Sequence, residues 1–174
     1  MVLRKVCFLL ALALTASVGA RAQILSGKID LFTGYGFMHF KSTPAANLNG
    51  FDVAAKYKVL DWRSFEAGVA ADVGGEYGTV NDISSHLYTY TFGPEVSWTP
   101  HRFVPFAHVL IGGSHYSGAF YTSKGVAYTL GAGVDYKAKK KMSWRIIEID
   151  DLPTHLGGHD QHSTRISTGL VFHF

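Results

Sequence analysis

The stretch Phe65-Glu66-Ala67-Gly68-Val69-Ala70-Ala71-Asp72-Val73-Gly74-Gly75-Glu76-Tyr77 decides the fold. Successive side chains of an extended strand point to opposite faces. Phe65, Ala67, Val69, Ala71, Val73 and Tyr77 therefore share one face, and Glu66, Gly68, Ala70, Asp72, Gly74 and Glu76 share the other. A soluble eight-stranded barrel fills its inside with large apolar residues and turns polar ones to water. Here the second face is small or charged and cannot make an oily core. It can fill a narrow lumen whose wall turns its apolar face to lipid.

Neighbouring stretches repeat the pattern. Phe51, Val53, Ala55, Tyr57 and Val59 oppose Asp52, Ala54, Lys56 and Lys58; Tyr88, Tyr90, Phe92, Val96 and Trp98 oppose Thr89, Thr91, Gly93, Glu95 and Ser97; and Tyr128, Leu130, Ala132 and Val134 oppose Thr129, Gly131, Gly133 and Asp135. Period-two segments cover approximately 28–40, 50–60, 65–77, 86–99, 104–116, 125–136, 142–154 and 163–174. This predicts an all-β chain, an eight-stranded antiparallel up-and-down transmembrane β-barrel. Closure is a physical requirement, since an open edge in a bilayer would leave backbone groups unpaired. Short connections at 61–64, 100–103 and 137–141 are expected on the periplasmic side, with longer external loops at 41–49, 78–85, 117–124 and 155–162. Two strands strain the scheme. In the seventh, Trp144 and Ile146 want lipid while Glu148 and Asp150, on the same parity, want the lumen, so a β-bulge is expected near Ile147. In the fifth, either Ala107, Val109 and Ile111 or Phe106, His108 and Leu110 could face outward, and the first set is favoured.

Both ends carry signals. Arg4 and Lys5, the apolar run from Val6 to Leu14 and the small residues around Ala20 and Ala22 read as an export peptide over 1–22, leaving a barrel domain over 23–174 that starts at Gln23. The apolar run is shorter than the roughly 20 residues a spanning helix needs. Removing it takes three basic residues and no acid, so the mature chain holds 13 of each, and nothing in its charge points to nucleic acid. At the far end Phe174, Phe172, Leu170, Thr168 and Ile166 share one face of a last strand that closes on an aromatic residue.

With the Phe32-Thr33-Gly34-Tyr35-Gly36-Phe37 strand, Phe92-Gly93-Pro94, Pro105-Phe106-Ala107-His108 and the terminal Leu170-Val171-Phe172-His173-Phe174, the chain resembles the small outer-membrane barrels similar to the transmembrane domain of OmpA. The resemblance implies the outer membrane of a Gram-negative-type bacterium, lipid and lipopolysaccharide as surroundings, and recognition of Phe174 by the barrel-assembly machinery. It covers the barrel alone, so no peptidoglycan-binding domain is implied.

Candidate chemistry is sparse. The expected lumen network comprises Asp30, Asp52, Lys56, Glu66, Asp72, Glu95, Asp135, Glu148, Asp150 and Arg165; adding Glu76, Lys28 and Lys58 makes nine acids against four bases. Inward charges in so narrow a barrel are expected to be structural, although charged groups within a membrane protein are also functional candidates, here for a small pore. His155, His159 and His162 could ligate zinc, but their spacing fits no established pattern, and solvated loop histidines are expected instead. His115 and Ser117, two apart on one strand face, faintly resemble the His-x-Ser pair of eight-stranded lipid A deacylases, with Glu76 the available carboxylate. No cofactor motif is visible, and a monomer with a structural or surface-interaction role is expected, ahead of a lipid-modifying enzyme or a pore.

Overall fold

The alternation closes into a barrel. In a computed structural model, which describes residues 28–40, 46–80, 83–118, 122–156 and 159–174, the strands are β1 (Ile29–Phe40), β2 (Ala46–Trp62), β3 (Phe65–Val80), β4 (Ile83–Trp98), β5 (Phe103–Ser117), β6 (Thr122–Lys139), β7 (Met142–Leu156) and β8 (His159–His173). Each pairs antiparallel with the next, and β8 returns to β1 with Leu170 opposite Thr33, so no edge stays open. The expected export segment 1–22 and the start at Gln23 lie outside the described residues.

Large apolar side chains cover the outside of the wall. Val69 is 50% exposed, Phe92 61% and Leu130 62%, whereas Asp52, Glu76, Asp150 and Arg165 are each 0% exposed. This polarity suits hydrocarbon outside and a polar lumen inside. On β5, Ala107, Val109 and Ile111 face outward, while Phe106, His108 and Leu110 are buried inside. The break in β7 is a bulge: the register with β8 shifts between Arg145 and Glu148, leaving Ile147 exposed and both Arg145 and Glu148 inside. The Thr168 hydroxyl donates to the Arg145 carbonyl (2.9 Å), satisfying an acceptor beside the break in the ladder. A second bulge, at Val59 in β2, puts Val59 and Leu60 outward together.

The expected contrast between short and long connections does not hold. At the end that carries both chain termini the connections are 63–64, 99–102 and 140–141; at the opposite, far end they are 41–45, 81–82, 118–121 and 157–158. The far-end strands pair past the outward apolar band, from Tyr77 opposite His86 on to Val80 opposite Ile83, because backbone hydrogen bonding continues whether or not the outer face is oily. Aromatic residues mark both ends of the apolar band: Phe65 stacks on Trp98 (6.2 Å between centroids) at the terminal end, and Tyr77 meets Tyr88 edge-on (5.8 Å) at the far end.

Above that upper aromatic row the pattern inverts. Asn47, Asn49 and Thr79 are exposed on the outside, and inside them Met38, Leu48, Leu87 and Leu152, each at most 1% exposed, form an apolar plug with Tyr116 against it. A wall that is oily outside along its middle and oily inside at its far end has left hydrocarbon for water.

Candidate functional site

The lumen is built in tiers, each set by the inward parity of its strands. At the terminal mouth Lys58 lies 3.3 Å from Asp30 and 3.4 Å from Glu66. His173 contacts Asp30 (2.6 Å) through Nδ1 and Ser143 (2.7 Å) through Nε2. Above it Lys56 pairs with Glu95 at 3.0 Å and donates to Ser97 at 2.8 Å. Next comes Arg145, whose guanidinium donates to both oxygens of Asp135 (2.9 and 3.2 Å) and to Glu148 (3.0 Å). Its planar face lies between the rings of Phe32 and Phe106, 4.3 and 4.0 Å away. This side chain spans the lumen and closes it.

Arg165 is the hub of the upper tier. It reaches Asp150 (2.7 Å), Asp72 (3.0 Å), Asp52 (3.5 Å) and Glu76 (3.8 Å), while Ser167 donates to Asp52 (2.7 Å). A fully buried guanidinium is tolerable only with such pairing. Small residues make the room: a Cβ on Gly131 would run into Asp150 and His108, and one on Gly74 into Arg165.

All ten residues expected in the lumen network therefore project inward. Lys28 does not: it is exposed beyond the mouth. Arg145, not counted among the expected bases, is buried inside instead. Alternation from Trp144 would have placed Arg145 inside, but the bulge obscured that parity. The apolar plug also went unread, although Leu48 and Leu152 share parity with Asp52 and Asp150.

The other candidates are not assembled. His115 and Ser117 share the outer face of β5, partly buried opposite Tyr88 and His86. Glu76, the carboxylate considered as their orienter, lies inside the barrel beside Arg165, on the opposite side of the wall. The histidine loop is corrected as well: β7 runs through Leu156 and β8 begins at His159, with His155 opposite Asp160 in the ladder. His162 is exposed and 3.9 Å from Asp151; the side chains of His155 and His159 lie outside the described residues. His108, Glu148 and Asp150 bring potential ligand atoms within 4.8 Å of one another. Glu148 is already bound by Arg145 and Asp150 by Arg165, so a divalent ion there would face two guanidinium charges. The trio belongs to the ion-pair network.

Known proteins agree with the architecture. A family model described as outer membrane protein beta-barrel domain matches residues 8–174. No curated protein matches the sequence. Among solved structures, Neisserial surface protein A is similar over 84% of this chain and 97% of its own, with a TM-score of 0.65 at 13% identity. Ail, the attachment invasion locus protein of Yersinia pestis, matches over 86% and 99% with a TM-score of 0.55 at 15% identity. The N-terminal β-barrel domain of Pseudomonas aeruginosa OprF matches over 86% and 98% with a TM-score of 0.52 at 14% identity. At these identities the likeness is one of fold, and with the family match it leads to one conclusion: the chain belongs to the outer-membrane protein β-barrel domain family.

Proposed function

We propose that the protein is exported by its 1–22 segment to the outer membrane of a Gram-negative-type bacterium, inserted there by the assembly machinery reading Phe174, and serves as a non-enzymatic, monomeric surface-contact barrel. The observation that carries this reading is the inversion of side-chain polarity at the far end. The strands lift a polar and aromatic rim clear of the lipid and spend an apolar plug on keeping it rigid. The lumen beneath is filled at the Arg145 and Arg165 tiers, which weighs against conduction. The enzyme reading lacks an orienting group: among the described residues no carboxylate is hydrogen-bonded or ion-paired to His115 or Ser117.

The rim's chemistry suggests its partner. Ail has been solved in complex with the heparin analogue sucrose octasulfate, a polyanion. In this chain Lys124 is the single exposed Lys or Arg at the far end among the described residues, so a polyanion has little to hold. Tyr77, Tyr88 and His86 instead form an aromatic cluster, with the two phenol oxygens 2.8 Å apart, above which Asn47 and Asn49 offer amides. Rings beside amides suit the saccharide of lipopolysaccharide. Refolded protein should retain lipopolysaccharide with every acyl chain intact by mass spectrometry, and Tyr77→Ala with Tyr88→Ala should weaken retention. Release of an acyl chain would overturn the reading in favour of a lipid hydrolase.

A further inference from the structure

The terminal half of the lumen encloses a cavity of about 370 Å³, within the size range of small-ligand pockets. Arg145, clamped between Phe32 and Phe106, forms its floor, and Val104 and Val171 give it an apolar wall. Its four carboxylates are all engaged: Asp30 and Glu66 by Lys58, Glu95 by Lys56 and Asp135 by Arg145. Lys137, Lys139 and Lys140 line the same cavity, yet none of them has an ion-pair partner among the described residues. Lys137 follows Asp135 along β6 on its inward side, and Lys139 and Lys140 come after a register shift that carries the strand into its turn. Three lysines without an ion-pair partner among the described residues therefore line a cavity floored by Arg145. A turn lysine serving solubility has no need to line a cavity.

We propose that this cavity binds a small organic phosphate, its phosphoryl oxygens held by Lys137, Lys139 and Lys140 and its carbon portion against Val104 and Val171. Lysines act on phosphate as hydrated point charges that need no planar fork, and the forked donor nearby, Arg145, is already committed to Asp135 and Glu148. The phosphate could be a free solute at the terminal side of the membrane or the headgroup of a lipid in the adjacent leaflet, and one experiment separates them.

Amide NMR shifts of Val104, Ser143 and Val171 are followed in phosphatidylcholine nanodiscs as glycerol 3-phosphate is titrated, and then in nanodiscs containing phosphatidylglycerol without added phosphate. A saturable shift in the first arm assigns the site to a free phosphate, and in the second to a headgroup. Lys139→Gln with Lys140→Gln, both exposed and outside the ion-pair tiers, should weaken binding roughly tenfold. A control that removes exposed rim charge, Arg63→Gln with Arg102→Gln, should change it by less than about twofold because those charges are screened. Absence of a saturable shift in both arms, or equal weakening by the control, would overturn the proposal.

Discussion

At the residue scale the barrel depends on a few side chains that have no alternative place to go. Arg165 is surrounded by four carboxylates within 3.8 Å, so Arg165→Met should cost about 3–5 kcal/mol by stranding buried charge, or prevent folding. Asp72→Asn keeps an acceptor for the guanidinium and removes one of the crowded negative charges; it should leave stability equal or raised at neutral pH. Urea unfolding in lipid vesicles measures both, and a large loss for Asp72→Asn would show that each acid is individually required. Facing was legible residue by residue because parity alone decides it: Val69, read as lipid-facing, is half exposed, and Val69→Arg should cost about 2–4 kcal/mol near mid-bilayer. Space was not legible. Gly68 reads as a free lumen position, yet a Cβ there would run into the Tyr57 carbonyl, so Gly68→Ser should be destabilising in the same assay although it adds only a small polar group.

At the scale of the strand, what alternation fixes is broken where one residue is added. The bulges in β2 and β7 both fall at consecutive apolar residues, Val59-Leu60 and Ile146-Ile147, because an inserted residue on a lipid-facing wall must itself be oily, whereas the register shift at Ala138 in β6 adjoins a turn. The β7 break was visible in the sequence as a clash of parities. Its consequence for Arg145 was hidden, since a bulge reverses which parity points inward on one side of it. Deletion turns this into a measurement. Without Ile146, β7 reads Arg145 in, Ile147 out, Glu148 in and Ile149 out, a regular strand with every charge still in the lumen. Deleting Ile149 instead forces one half of the strand inside out, with either Asp150 or both Glu148 and Arg145 facing lipid. The Ile146 deletion should therefore retain the faster gel migration of a folded barrel, and the Ile149 deletion should lose it. Equal migration of the two would show that the extra residue does not set the facing of this strand.

At the scale of the whole molecule, closure and strand number were readable because lipid permits few alternatives, whereas strand ends were not. The outward apolar alternation stops short of the far end, but the ladder continues into water, where the barrel is apolar inside like a soluble one. The seam of that closure is where the chain ends: Phe174 donates its N–H to the Ile29 carbonyl at 2.9 Å, and its ring is 47% exposed on the outer wall. Deleting Phe174 thus removes two seam hydrogen bonds with Ile29, the second long at 3.5 Å, each worth at most about 0.5–1.5 kcal/mol, and one aromatic among several at that girdle. The remaining β1–β8 pairs, from Asp30 opposite His173 to Phe40 opposite Ser163, hold the seam without it. Refolding in detergent should accordingly fall only slightly. If Phe174 is also the feature an assembly machine reads, the amount of folded protein in the outer membrane of cells should fall much further than the refolding yield. The two losses are separable because detergent contains no assembly machine, so the difference between them measures recognition and the refolding loss measures packing. Equal losses in cells and in detergent would reduce Phe174 to a packing residue of the seam.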